Sequence, residues 1–160
     1  MEQIVIANLN NPTHAEAIVY LLNAYAKDNM GGGIELSDFT KQNLIPELTK
    51  RQGVYALIAF MQDAPAGLAI CFEGFSTFAC KPLLNIHDMV VATEFRGLGI
   101  SKRLLAKAEE IAEQLGCCKL TLEVLEGNKI AQAAYRTCGF EGYELNPETG
   151  KALFWQKQIT

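Results

Sequence analysis

The chain has 160 residues, a formal net charge of −4 and an isoelectric point near 5.2, with 49% hydrophobic and 20% charged side chains. That length suits one domain over residues 1–160, large enough to bury about 70% of the surface its unfolded form exposes. The acidic balance, with no basic cluster outside one helix, argues against a nucleic-acid or anionic-membrane binder, and no apolar run approaches the ~20 residues that span a bilayer.

The N-terminus MEQIVIANLN lacks a basic stretch followed by an apolar one, so a cytoplasmic location is expected. The five cysteines are odd in number and form no C-x-x-C pair, and His14 and His87 are the only imidazoles. Neither a disulfide framework nor a metal site is expected from that set, and most of the thiols read as small apolar fillers.

In chain order, QIVIA alternates like a strand, and NNPT supplies a capping Asn and a first-turn Pro. Ile18, Leu21, Leu22 and Tyr25 then repeat at helical spacing, predicting a core-facing helix that ends near Lys27. Gly31, Gly32 and Gly33 break structure, and SDF restarts a helix that Pro46 should kink or divide. VYALIAF and AGLAICFE read as antiparallel strands joined through MQDAP, and LLNIHDMVV as another strand after the looser GFSTFACKP.

From Ile100 to Leu115 the positions Leu104, Leu105, Ala108, Ile111, Ala112 and Leu115 form one apolar face, with Gly116 as the stop. KLTLEV is a short strand, NKIAQAAYRTCG a helix, and FEGYEL with KALFWQKQI a pair of strands around the turn NPETG. The order β-α-α-β-β-β-α-β-α-β-β describes a mixed α/β domain without repeats.

RGLGIS, residues 96–101, follows a strand and opens a helix, where unpaired N–H groups and a positive dipole end favour an anion and glycines allow close approach. A Walker A loop requires four residues before Gly-Lys-Ser/Thr, and a dinucleotide fingerprint requires a third glycine where Lys102 stands, so spacing excludes both. On glycine spacing alone an ordinary turn would suffice.

Two stretches taken together, VVATEFRGLGISKRLL and NKIAQAAYRTCGF, resemble the GNAT superfamily of acyl-CoA-dependent N-acyltransferases. The first matches the pattern Arg/Gln-x-x-Gly-x-Gly/Ala through Arg96, Gly99 and Ser101, with Ser101 departing from the usual Gly or Ala. The second matches Asn-x-x-Ala-x-x-x-Tyr-x-x-x-Gly-Phe through Asn128, Ala131, Tyr135, Gly139 and Phe140. The resemblance is densest from Leu84 to Phe140 and implies a central, mostly antiparallel mixed sheet flanked by helices.

It further implies that main-chain N–H groups of Arg96, Gly97, Leu98, Gly99, Ile100, Ser101 and Lys102 hold the pyrophosphate of coenzyme A. Met89, Val90 and Val91 would offer main chain to the pantetheine arm, with Asn128 contacting the same arm while capping its helix. Tyr135 occupies the position of a phenol near the coenzyme sulfur, where it could protonate the departing thiolate.

The general base is left open. His87, with an intrinsic pKa of about 6.5, and Asp88 both interrupt an apolar strand, and strand alternation should let only one face the acyl site; Glu123 is a third candidate. Asp28, Glu35 and Asp38 could attract a cationic acceptor or be solvated surface groups.

The resemblance thus implies an N-acetyltransferase moving an acetyl group from acetyl-CoA to a primary amine, on a small molecule, by direct attack in a ternary complex. The alternatives are a non-catalytic acyl-CoA sensor or interaction module, and acetylation of a protein N-terminus or lysine. Relatives often dimerise, so the resemblance leaves room for a homodimer.

Overall fold

The structure, a computed structural model, describes residues 2–159. Among these residues five strands form one sheet in sequential order: β1 (Glu2–Ile6), β2 (Val54–Met61), β3 (Ala64–Ser76), β4 (Lys81–Val91) and β5 (Leu120–Leu122). The first four pair antiparallel, and β5 joins β4 in parallel. Among the described residues four α-helices flank this sheet: α1 (Pro12–Lys27), α2 (Asp38–Thr49), α3 (Ile100–Gln114) and α4 (Lys129–Thr137).

Helices cover both faces because the central strands carry apolar residues on both sides, and two cores result. Leu57, Ala69, Leu84 and Ile86 pack against Leu104, Leu105, Ala108 and Ile111 of α3. Ile58, Leu68, Ile70 and Val90 pack against Ala17, Ile18 and Leu21 of α1 and Leu48 of α2.

The local chemistry follows the expected signals, with instructive departures. Asn11 caps α1 through its side-chain oxygen, accepting from the N–H groups of Thr13 and His14 at 2.9 and 3.4 Å. The β2–β3 turn places both Gln62 and Asp63 in the left-handed region, which matches the twist of a two-residue hairpin. Pro46 does not divide α2. Its missing N–H falls on an exposed flank, where the carbonyl of Gln42 can be solvated.

β3 and β4 are longer than the apolar runs suggested, because the stretch expected to be loose carries the ladder out to Ser76 and Lys81. Cys71 is the buried filler expected, its thiol pushed up to about 12 mainly by burial, whereas Cys80 and Cys118 are exposed.

The element order agrees with expectation through α4. The last two expected strands do not join the sheet. The chain does reverse at the expected turn, where Asn146 accepts from Thr149 and Gly150, but the arms meet only in a Glu144–Lys151 bridge. Leu145, Leu153, Phe154, Trp155 and Ile159 remain exposed. A hairpin this short, without a third strand against it, lacks the burial that fixes extended pairing.

A cleft where the sheet forks

β5 accompanies β4 only over Leu84–Leu120, Asn85–Thr121 and Ile86–Leu122, whereas β4 continues to Val91. The amide of Asn85 donates to Thr121 Oγ1 at 3.0 Å and fixes the two strands just before they part. Beyond that clasp a cleft of about 740 Å³ opens between the diverging walls.

Which main-chain groups face the cleft follows from the β3–β4 ladder. Ala92 N–H donates to Ala66 O at 2.9 Å, so alternation along an antiparallel pair makes Val91 and Met89 the residues whose polar groups turn away from β3. Val91 O is accordingly available to accept from Arg96 Nε at 3.2 Å. Val90 takes the opposite role: its main chain belongs to the ladder and its side chain to the α1 core.

A β-bulge in the same strand changes the expected geometry of the acid–base candidates. Ile70 pairs with Asp88 and Cys71 with Ile86, which leaves His87 as the extra residue. The bulge breaks alternation, so both side chains lie on the face of α1, contrary to the expectation that only one could. His87 stands edge-on to Phe72 at 5.4 Å and lines the cleft. Asp88 sits behind it, in the field of Tyr25, and burial pushes its carboxyl above the usual range against the opposing pull of His87.

At the mouth of the fork stands the N-terminus of α3. Gly99 occupies its N-cap position with φ 76°, and Gly97 has φ 82°. Gly67 on β3 makes the close seat possible, because a Cβ there would stand 2.8 Å from Ile100 Cγ2. A Cβ built on Gly97 meets nothing within 4 Å, so the loop borders open space on the side where the first-turn N–H groups of α3 lack helical partners. A diphosphate fits the chemistry of that space: fixed donors and a dipole end, with the guanidinium of Arg103 lying beside Gly99 and donating to Leu98 O at 2.9 Å.

Arg96, Gly97, Gly99, Ile100 and Ser101 line the cleft; the side chain of Leu98 is exposed, and that of Lys102 lines a separate groove beside α3. The guanidinium of Arg96 is engaged by Asp28 Oδ2 at 2.9 Å. On the opposite wall Asn128 caps α4, accepting from Ala131 N–H at 3.1 Å, and one helical face later Tyr135 enters the cleft. Tyr135 is buried, and burial first, then the neighbouring Tyr25, raises its phenol above the ordinary tyrosine value. Glu123 borders the same wall.

Tyr25 is a cleft residue that sequence reasoning assigned to the core. Its helical spacing is correct, but its ring lies on the last turn of α1, where the core ends and the cleft begins. A polar-tipped aromatic two residues before a helix stop was the available signal. Gly31 closes this corner: a Cβ would stand 1.9 Å from the Tyr25 carbonyl oxygen, so Gly31 is a steric requirement, whereas Gly32 and Gly33 have open space around them and are set apart only by their positive φ of 109° and 76°. Glu35 is paired with Lys41 at 2.9 Å, and neither Glu35 nor Asp38 lines the cleft. Among the described residues no group of three or more His, Cys, Asp or Glu side chains converges as a metal site, and no helix is long and apolar enough to cross a membrane.

Comparison with known proteins agrees with this architecture. Residues 18–140 match the model of the acetyltransferase (GNAT) family. A thialysine N-epsilon-acetyltransferase of Caenorhabditis elegans is 28% identical over 137 residues, 81% of this chain and 78% of its own length. The Sus scrofa enzyme of the same name is 39% identical over 93 residues, covering about half of each chain. Among solved structures, a probable acetyltransferase superposes with TM-score 0.79 at 20% identity over 98% of this chain and 99% of its own. AAC(6')-Iy, solved with the bisubstrate analog CoA-S-monomethyl-acetylneamine, superposes with TM-score 0.74 at 21% identity over 99% of each chain. The matched family model covers most of the chain, including the fork, the glycine loop and Tyr135, and the chain belongs to the GNAT family of acyl-CoA-dependent N-acetyltransferases.

Proposed function

We propose that this protein transfers an acetyl group from acetyl-CoA to a primary amine on a small molecule, by direct attack in a ternary complex. The observation that carries the reading is the fork itself. One cleft brings together the α3 N-terminus, the main-chain edge of Met89 and Val91 that β3 leaves unpaired, and Tyr135. Acetyl-CoA supplies an acetyl group activated as a thioester; the chain's own groups supply placement and proton transfer.

Of the N–H groups expected from Arg96 to Lys102, that of Arg96 is already taken by Thr93 O at 3.3 Å, so those of Gly97 through Lys102 hold the diphosphate, with Ser101 adding a hydroxyl donor. Met89 and Val91 pair with the pantetheine amides as an added strand would, and Asn128 borders the same arm. Tyr135 holds its proton through neutral pH and delivers it to the departing sulfur.

His87, exposed to the cleft, takes the proton from the attacking amine directly or through water. Asp88 fits the base role less well, since burial favours its protonated form. Tyr135 standing in the cleft favours catalysis over a coenzyme-binding sensor, and Tyr25, Asp28 and Met30 give the acceptor its wall.

The test is thiol release from acetyl-CoA against a panel of small amines, with peptides bearing free N-termini or lysines beside it. Amine-stimulated release supports the reading. Release stimulated only by peptides moves the acceptor to protein, and coenzyme A binding without release overturns catalysis. A homodimer belongs to the same proposal, supported by the exposed apolar residues of the C-terminal hairpin.

A further inference from the structure

Asp28 ends α1 and begins the acceptor-side loop, and its carboxylate has two partners. Oδ1 accepts from Met30 N–H at 2.9 Å, and Oδ2 accepts from Arg96 at 2.9 Å. The same guanidinium donates from Nε to Val91 O at 3.2 Å. One arginine of the glycine loop therefore closes over an acidic group on the acceptor side and over a main-chain acceptor in the fork.

Neither anchor is strong. The paired side chains are 51% and 27% exposed, and ion pairs so open to solvent are held weakly. Val91 O faces the cleft, where a pantetheine amide competes for it. A diphosphate beside Gly97 offers the guanidinium a bidentate partner of higher charge. After Arg96 leaves, Asp28 stays ionised at neutral pH, because a carboxyl ordinarily loses its proton well below pH 7 and the Met30 N–H, the largest single contribution lowering it, remains in place.

We propose that Asp28 anchors a second, non-reacting ammonium group of the acceptor, and that Arg96 covers it until coenzyme A binds, so that cofactor binding opens the acceptor site. The inference rests on the placement of acetyl-CoA in the fork. The reacting nitrogen must be neutral to attack, so a carboxylate at the acceptor end suits a different amine of the same molecule. The acceptor class is therefore a compound with at least two amino groups.

The experiment is calorimetric and uses coenzyme A without its acetyl group, so that nothing turns over. The probe acceptor, 1,5-diaminopentane, is titrated into the free protein and into the coenzyme-saturated protein. It should bind the loaded protein about five-fold or more tightly than the free one, a typical coupling between sites. Arg96→Gln should bind it without coenzyme nearly as well as the loaded parent does. Asp28→Asn, which keeps a cap oxygen for Met30, should lose most of the diamine affinity.

A second readout needs no acceptor. Asp28→Asn removes the competitor for Arg96, so it should tighten coenzyme A binding a few-fold, and Arg96→Gln in the same chain should abolish that gain. Weakened coenzyme binding in Asp28→Asn would make the pair a fixed strut and overturn the inference, as would equal diamine affinity with and without coenzyme. If the parent protein does not bind coenzyme A at all, the placement of acetyl-CoA falls and this inference with it; if it binds but the diamine is indifferent, this inference falls alone.

Discussion

Gly67 of β3 and Ile100 of α3 meet where no side chain can be inserted, since a Cβ on Gly67 would stand 2.8 Å from Ile100 Cγ2 and 3.1 Å from Leu104 Cδ1. The contact lies between two buried elements that cannot yield separately, so it sets the height of the first turn of α3 above the sheet. Those first-turn N–H groups are the proposed diphosphate donors. Gly67→Ala is expected to destabilise the fold by about 1–3 kcal/mol, as overpacked cores do. It should also weaken coenzyme A binding by roughly ten-fold through misaimed donors. Urea unfolding and calorimetry measure the two effects, and lost stability with unchanged coenzyme affinity would detach the helix start from the diphosphate.

Tyr135 provides a sharper separation of binding from chemistry. Phenylalanine keeps the ring packing against Phe140, whose centroid lies 6.0 Å away, and removes only the hydroxyl. Tyr135→Phe should bind coenzyme A within about two-fold of the parent and lower kcat on the order of 100-fold, the scale of a lost general acid. Because its phenol is raised above the ordinary value, the parent's activity should persist beyond pH ~10 before Tyr135 ionises, and the variant should lack that alkaline limb. An unchanged kcat would remove Tyr135 from the proton path.

Much of this site was legible in residue order. Gly99 before an apolar periodicity, and Asn128 three residues before Ala131, announce two helix starts from local chemistry alone. What sequence could not reveal depends on pairing across strands. The bulge at His87 exists because Cys71 pairs with Ile86 and Ile70 with Asp88, and nothing within LLNIHDMVV specifies that slip. The Arg96–Asp28 pair joins residues distant in the chain, and neither flank hints at the other. The C-terminal arms carry strand-like composition without a ladder, because pairing requires a partner edge as well as propensity.

Asp88 should reveal its unfavourable burial through stability. Its carboxyl is raised in the folded state, chiefly by burial, so the folded form binds its proton more tightly than the unfolded chain does. That contribution is fully present below the ordinary aspartate pKa and is lost as pH rises through the folded value. At neutral pH Asp88→Asn should therefore have a higher urea midpoint than the parent, and the gap should close as pH falls below about 4. A lower midpoint at neutral pH would mean that the ionised carboxylate is stabilised by its neighbours. Should Asp88, and not His87, serve as base, the same variant would also lose kcat, whereas His87→Gln would retain it.

Trp155 is the chain's single tryptophan and is 82% exposed, so intrinsic fluorescence reports directly on the C-terminal hairpin. If the hairpin apolar residues form a homodimer contact, emission should shift to shorter wavelength as protein concentration rises, in step with mass measured by light scattering. Trp155→Ser, assayed by scattering alone, should shift the association to higher concentration. A monomeric mass with constant emission across the range would show that these residues cover no second copy.

Ser101 separates stability from coenzyme binding. It stands in the first turn of α3, which has no acidic residue, and it lines the cleft beside Gly99. A carboxylate at this end of a helix favours the dipole, so Ser101→Asp should leave the fold as stable as the parent or stabilise it by about 0.3–1 kcal/mol. The same charge opposes a diphosphate at the N–H groups it shares, and coenzyme A affinity should drop by about ten-fold or more, with the loss shrinking as salt screens the repulsion. Ser101→Gly, which restores the small residue usual at this position, should retain the affinity. Thermal unfolding and calorimetry on the two variants give four readings. Undiminished coenzyme binding by Ser101→Asp would place the diphosphate away from this helix start, and with it the whole orientation of acetyl-CoA in the fork.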